Sequence, residues 1–128
     1  MDILESRGVS CRNLRISAKA HLIMPWHTIL DGLQEEERGA GKIGTTKRGI
    51  GPCYSDKAAR IGIRVGELLD PKRFKERFIL VHSEKGLEPY ETHLNQYLEY
   101  GSVLALFIRD IEPIIQRALE GNKNILLF

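Results

Sequence analysis

The sequence predicts a helix-rich α/β fold, and three observations support this prediction. Apolar residues recur at helical spacing in several segments of the chain. Runs with strand composition are few and short. The hydrophobic content of 42% and the charged content of 28% are ordinary for a globular domain, and 128 residues suffice for a core.

Three short elements and one longer helix are predicted in the first third of the chain. The short elements are a helix over residues 2–7 and strands over residues 14–17 and 21–24. The longer helix is expected from Pro25 to Gly39, since proline suits the first turn and glycine the end of a helix. Its apolar stripe, which should face the core, consists of Trp26, Ile29, Leu30 and Leu33.

A long loop is predicted over residues 39–53, where repeated glycines and one proline leave no helical stripe. A short helix should follow from Ser55, a good N-cap residue, to Ile61. Gly62 would end it.

The second half is predicted to be mainly helical. Helices are expected from Asp70, from Pro89 to Tyr100, and up to Gly121. Their apolar stripes are formed by Phe74, Phe78, Tyr90, Leu94, Tyr97, Leu98, Ile111, Ile114, Ile115, Ala118 and Leu119. Residues 125–128 have strand composition, and because one terminal strand cannot complete a sheet, its partners are expected in sequence that this chain lacks.

Positive charge is concentrated around the predicted loop. From Arg38 to Arg64 the chain has seven basic residues, namely Arg38, Lys42, Lys47, Arg48, Lys57, Arg60 and Arg64, and a single acid, Asp56. Glycine N–H groups, the hydroxyls of Thr45 and Thr46, and the N-terminus of the following helix can all face an anion. These are the parts of a phosphate site. A solvated surface loop is the alternative, because the Gly-Lys-Ser/Thr ending of a Walker loop is lacking.

Two interpretations of Arg60 follow from spacing. Asp56 and Arg60 lie four residues apart on the predicted helix and would form a surface ion pair worth about 0.3–0.5 kcal/mol. Alternatively Arg60, which shares a helix face with Lys57, points outward as a phosphate fork worth roughly 1.5–3 kcal/mol. The spacing taken alone favours the ion pair.

Chain-wide properties exclude several classes of protein. The net charge of +2 is too small to indicate a nucleic-acid partner. No apolar run approaches the roughly 20 residues of a membrane span and no signal peptide opens the chain, so we expect a cytoplasmic protein. Cys11 and Cys53 are isolated and are predicted to be reduced thiols. The four histidines are predicted to be surface or packed residues: His21, His27, His82 and His93.

The segment from Gly49 to Arg60 resembles the signature of adenylosuccinate synthetases. Their pattern is Gly-Ile-Gly-Pro-x-Tyr-x-x-Lys-x-x-Arg, and this segment matches every position of it. The resemblance covers most of residues 4–80. It implies a parent α/β protein, P-loop-like, with a large and mainly parallel central sheet, of which this chain supplies few strands and many helices.

The resemblance also implies an activity, the GTP-dependent joining of IMP and L-aspartate to adenylosuccinate, with Mg²⁺. Thr46 matches the threonine that holds the phosphate of IMP. Arg60 matches the arginine that reaches across a homodimer to the partner subunit's IMP. Lys57 matches a signature lysine often called an active-site residue, for which a catalytic role and a positioning role both remain open.

By the same resemblance, the chain is expected to be an internal fragment of the synthetase domain. Residues 39–64 would supply the IMP-phosphate loop and the signature helix, and residues 65–121 a mainly helical subregion. The family's catalytic Gly-Asp-Glu-Gly-Lys-Gly-Lys loop and its guanine-binding segments match nothing here. The ligands of GTP and Mg²⁺ are therefore expected outside this chain, and the fragment alone is predicted to be inactive.

Two other classes of function remain possible on the sequence. A stand-alone module would bind a phosphate-bearing ligand or single-stranded nucleic acid without catalysis, although Tyr54 is the one aromatic residue of the loop region that a base could stack on. A purely structural dimerisation piece would leave the basic loop unexplained.

Overall fold

Six α-helices, a 3₁₀-helix and a two-stranded sheet are found in the part of the chain that the computed structural model describes, residues 2–37, 39, 44, 46–85 and 90–127. The α-helices are α1 Asp2–Glu5, α2 Pro25–Glu37, α3 Ile50–Ala58, α4 Pro71–Glu84, α5 Glu91–Leu104 and α6 Glu112–Glu120. The 3₁₀-helix η1 spans Val65–Leu69, and the strands are β1 Ile16–Ser17 and β2 Ile108–Arg109. The prediction of a helix-rich α/β chain is confirmed.

The two strands are parallel, with Ile16 opposite Ile108. Parallel strands need a crossover connection, and the helices α2 to α5 lie in that connection. Among the described residues the sheet has only these two strands. The large central sheet inferred for the parent protein is therefore not present in this part of it.

Aromatic residues of α2 and α4 form the centre of the core. Phe74 and Phe78 are fully buried, and Trp26 meets Phe78 edge-on with ring centroids 5.5 Å apart. The other buried apolar residues of this core are Met24, Ile63, Val65, Leu68, Val81, Leu94 and Ile108. Helix α4 begins as predicted, because Asp70 accepts a hydrogen bond from the N–H of Arg73 and Pro71 occupies the first turn.

One of the predicted strands is wrong. Residues 21–24 form no strand, and His21 makes only an isolated antiparallel bridge to Arg64. Residues 125–127 have no strand partner in the described part of the chain, and Leu126 is 83% exposed. Because the partners of this segment were expected outside this chain, its strand stays a prediction. Both segments have strand composition, but composition cannot supply a neighbour to pair with. Phe128 lies outside the described residues.

Helix α3 begins earlier than predicted. It starts at Ile50, inside the predicted glycine-rich loop, and not at Ser55. Gly49 has φ = 77° and turns the chain into the helix, and Pro52 is tolerated because it lies in the first turn. Ser55 is an internal residue whose hydroxyl donates to the carbonyl of Gly51.

The apolar stripes are only partly in the core. Those of α4 and α5 are confirmed by the burial of Phe74, Phe78 and Leu94, whereas α6 has no buried residue. In α2 the stripe is only partly right, since Trp26 is buried and Leu30 half-buried, whereas Ile29 and Leu33 are exposed. The buried residues of α2 are Trp26, His27, Asp31 and Glu35.

Candidate functional site

The loop that carries Thr46 is held against α2 at both of its ends. The N–H of Gly44 donates to Glu35 Oε1 at 2.7 Å, and the N–H of Gly49 donates to Asp31 Oδ2 at 2.9 Å. Thr46 lies between these two attachments and is exposed to solvent. The helix therefore holds the backbone at Gly44 and at Gly49, while Thr46 between them is exposed.

A buried carboxylate on α3 holds this helix in place. Asp56 Oδ1 accepts from Lys85 Nζ at 2.8 Å, and its Oδ2 accepts from His27 Nε2 at 3.0 Å and Trp26 Nε1 at 3.3 Å. These donors come from α2 and from the C-terminal end of α4. Asp56 thus joins three helices, and the predicted surface ion pair between Asp56 and Arg60 is wrong.

The network shifts the pKa of Asp56 and that of His27. Burial would raise the pKa of Asp56, but the hydrogen bonds from Lys85 and His27 and the Lys85 charge outweigh it and lower the pKa. Burial lowers the pKa of His27, and the hydrogen bond to Asp56 offsets this only in part. His27 Nδ1 accepts from the N–H of Met24 at 2.9 Å, so the imidazole is neutral with its proton on Nε2.

Arg60 follows the end of α3 in a conformation that is unusual for its residue type. Its φ is 63°, in the left-handed region that glycine normally occupies after a helix. The next two N–H groups, of Ile61 and Gly62, both donate to the carbonyl of Asp56 at 3.0 Å, which closes the helix end. A side chain here costs about 1–2 kcal/mol relative to a right-handed conformation. An arginine at such a position points to a role for its side chain.

An open groove of about 990 Å³ runs beside α3, η1 and α4. Five cationic side chains line it: Lys57, Arg60, Arg64, Arg73 and Arg77. Within the described part of the chain, no carboxylate forms an ion pair with any of the five. The groove is therefore suited to an anionic ligand.

Two acids of the groove are engaged by backbone groups. Glu67 Oε1 accepts from the N–H of Arg64 at 2.8 Å, and Asp70 Oδ1 accepts from the N–H of Arg73 at 3.1 Å. They cap η1 and α4 and form no ion pair with the guanidinium groups of the groove. The guanidinium of Arg77 donates a hydrogen bond to the carbonyl of Arg60 at 3.4 Å. A third acid, Glu76, also lines the groove.

The predicted site residues fall in two places. Lys57 and Arg60 lie together in the groove, whereas Thr46 does not line it. Lys57 also borders a smaller pocket of about 300 Å³, and its Nζ is 5.3 Å from the centre of the Tyr54 ring. Arg38, Lys42 and Thr45, which the sequence placed near this site, lie outside the described residues.

Sequence reasoning missed part of the groove. Arg73 and Arg77 are on α4, one turn apart, far along the chain from the signature. Their spacing of four on a helix whose other face is apolar was the available signal. It did not indicate which element they would face.

The described residues show no sign of a disulfide, a metal centre or a membrane span. Both cysteines are free and buried. Among the described residues, no group of three or more His, Cys, Asp or Glu side chains could hold a metal ion. In the same part of the chain, no helix is both long and apolar enough to span a membrane.

The fold and the groove define a helix-rich α/β chain with a groove lined by cationic side chains. Comparison with known proteins identifies which one: the family model described as adenylosuccinate synthetase matches residues 1–127. The chain therefore belongs to the adenylosuccinate synthetase family.

Relatives with this name support the assignment. The adenylosuccinate synthetase of Heliobacterium modesticaldum is 46% identical over 133 residues, which is 96% of this chain and 31% of the relative. That of Carboxydothermus hydrogenoformans is 46% identical over 136 residues, 98% of this chain and 32% of the relative. This chain thus spans about a third of the length of the relatives it matches.

A solved structure has the same fold. The fully ligated adenylosuccinate synthetase of Plasmodium falciparum superposes with a TM-score of 0.86 at 37% identity. The match covers 96% of this chain and 31% of that one. The fold described above is therefore that of one part of a larger protein of this family.

Proposed function

We propose that this chain is the part of an adenylosuccinate synthetase that binds the phosphate of IMP. The whole protein would join IMP and L-aspartate with consumption of GTP, in purine nucleotide synthesis in the cytoplasm. The observation that carries the proposal is the cationic groove at Lys57 and Arg60, whose cations have no carboxylate partner among the described residues, in a chain of this family that also has a loop tethered on both sides of Thr46.

The overall reaction would have two steps. The γ-phosphoryl group of GTP is transferred to the 6-oxygen of IMP, which releases GDP. The amine of aspartate then attacks C6, and the C–O bond to phosphate breaks to release inorganic phosphate. This chain's contribution would be to position the nucleotide, since fixing a reactant lowers the entropic part of the barrier.

Thr46 would bind the phosphate of IMP through its N–H and hydroxyl. Among the described residues neither group has a protein partner, so both are available to a ligand. The two glycine N–H groups that flank Thr46 already donate to α2. They are turned away from the ligand, which leaves the groups between them to bind it.

Arg60 would complete the phosphate site of a partner subunit in a homodimer. Thr46 and Arg60 do not share a groove here, which is expected if each acts in a different active site of the dimer. Two apolar side chains on the outer face of α3, Ile50 at 50% and Tyr54 at 64% exposure, would be covered by that partner. A two-fold dimer would bring both copies of Arg60 across the interface.

We assign Lys57 an electrostatic role in the same site. Its ammonium group borders both pockets and has no carboxylate partner among the described residues. A positioned ammonium group close to the phosphate of IMP would lower the energy of that phosphate's negative charge. Lys57→Ala would therefore lower kcat if the role is catalytic and raise only the KM for IMP if the role is positioning.

Mg²⁺ and GTP would bind to parts of the protein outside this chain, together with the catalytic loop and the large parallel sheet of the parent. Mg²⁺ would offset negative charge on the phosphates of GTP. Sequencing the gene on both sides of this segment tests the arrangement. Stop codons on both sides would instead make this a stand-alone phosphate-binding module, to be titrated with IMP.

Mixing of two inactive variants tests the roles of Thr46 and Arg60 together. Thr46→Ala and Arg60→Ala are made separately in the complete subunit, and the two proteins are then mixed and allowed to exchange subunits. If Arg60 acts in the partner's site, half of the dimers gain one intact site, and about a quarter of wild-type activity returns. If no activity returns although mixed dimers form, the proposed role of Arg60 is wrong.

A further inference from the structure

Helix α2 buries a polar face. His27, Asp31 and Glu35 follow one another at intervals of four residues, and they are 1%, 8% and 4% exposed. Carboxylates are seldom buried to this degree unless hydrogen-bond donors compensate for the loss of water. The apolar residues Ile29 and Leu33 of the same helix are exposed instead. The question is therefore what the buried carboxylates bind.

Both carboxylates accept hydrogen bonds from the backbone of the Thr46 loop. Asp31 accepts the N–H of Gly49, and Glu35 accepts the N–H of Gly44. Hydrogen bonds to an ionised acceptor are about twice as strong as those between neutral groups. One turn of α2 thus holds the backbone at Gly44 and at Gly49, on either side of Thr46.

The loop also lies in direct contact with the helix at Gly49. A Cβ atom added to Gly49 would lie 2.7 Å from the carbonyl carbon of His27 and 2.8 Å from its Cβ. Gly49 also has φ = 77°, which side chains disfavour. At Gly49 the backbone therefore leaves no room for a side chain against α2, and the hydrogen bond to Asp31 holds it there.

We propose that Asp31 and Glu35 are positioning residues for the phosphate of IMP. They hold the glycine N–H groups on either side of Thr46, so that the N–H and hydroxyl of Thr46 are presented in one fixed geometry. The proposal rests on the proposed function for the identity of the ligand. The tether itself is a property of the loop that is measurable without any ligand.

The experiment compares three variants in the complete subunit. Asp31→Ala removes the acceptor for Gly49, and Asp31→Asn retains a weaker, neutral acceptor of the same shape. Glu37→Ala is the matched control, since Glu37 is an exposed acid on the same helix. The Asn variant keeps the test usable if the Ala variant does not fold.

The first readout is hydrogen exchange of the amides of residues 44–49. We expect exchange to accelerate about tenfold in Asp31→Ala, which corresponds to a decrease of about 1.4 kcal/mol in the free energy of local opening. The exchange rate of Asp31→Asn should lie between those of Asp31→Ala and the wild type. Glu37→Ala should exchange like the wild type. Equal exchange in all four proteins would overturn the proposed tether.

The second readout separates positioning from stability alone. In Asp31→Asn the KM for IMP should rise several-fold, while the KM values for GTP and L-aspartate and the melting temperature stay near the wild type. A parallel rise of all three KM values with a lower melting temperature would mean that Asp31 only stabilises the fold. A wild-type subunit that makes no adenylosuccinate would refute the proposed function and the ligand named here, whatever the exchange rates of the loop.

Discussion

Replacing Arg60 by glycine separates the side chain from the backbone that carries it. The left-handed conformation at Arg60 costs about 1–2 kcal/mol for any residue with a Cβ atom, and glycine does not have this cost. Glycine loses about 0.4–1 kcal/mol more on folding, because its unfolded chain is more flexible. Arg60 is exposed, so little packing is lost. The net change in Arg60→Gly is a stabilisation of about 0.5–1 kcal/mol.

The alanine variant at the same position is the control. Arg60→Ala retains the Cβ atom and hence the backbone cost, so its free energy of unfolding should equal that of the wild type to within about 0.5 kcal/mol. Thermal unfolding followed by circular dichroism should show Arg60→Gly melting about 3–5 °C above Arg60→Ala for a chain of this size. Both variants should lose affinity for IMP to a similar extent. A glycine variant that melts at or below the alanine variant would refute the explanation of this helix end.

Three further perturbations test the packing around the site. Gly49→Ala should destabilise the chain by about 3 kcal/mol or more, because the added methyl group would meet α2 and because φ is positive. Gly51→Ala has open space around the added methyl group and should stabilise the chain by up to about 1 kcal/mol. Chemical denaturation measures both free energies of unfolding. Lys85→Met should lower the free energy of unfolding by about 2 kcal/mol, because Asp56 stays buried with only its two neutral donors. A decrease below about 0.5 kcal/mol would contradict the proposed network. Because the pKa of His27 is lowered in the folded chain, the unfolded chain binds a proton at this residue more readily. The melting temperature should therefore fall as the pH drops below about 6.5. His27→Gln should make the melting temperature depend less on pH below that value. A wild-type curve that is flat there would count against a neutral, buried imidazole.

The main helices could be predicted because their signals are local. Asp70 and Pro71 mark the start of α4, and the pair Phe74 and Phe78 marks its buried face. The start of α3 was harder to predict, because its N-cap is a glycine in the left-handed conformation and not a side chain that accepts a hydrogen bond. The glycine that suggested a loop is the residue that begins the helix.

The buried face of α2 could not be predicted from periodicity. Hydrophobic spacing selects Ile29 and Leu33, yet the face occupied by Asp31 is the one that α3 and the preceding loop cover. A carboxylate becomes favourable at a buried position only when donors from elsewhere in the chain reach it. The donor in this case is the N–H of Gly49, eighteen residues further on. No local pattern in the sequence shows that partner.

The site depends on the same kind of long-range pairing. From spacing alone, Asp56 and Arg60 would neutralise each other on the helix surface. In the structure, Lys85 and His27 donate hydrogen bonds to the buried carboxylate of Asp56. Arg60 lies beyond the end of the helix, in a left-handed conformation. Because Asp56, the acid closest to Arg60 in the sequence, already binds these donors, the guanidinium of Arg60 forms no ion pair in the described part of the chain and lies in the groove. The network that anchors α3 therefore also leaves the charge that the proposed phosphate site needs.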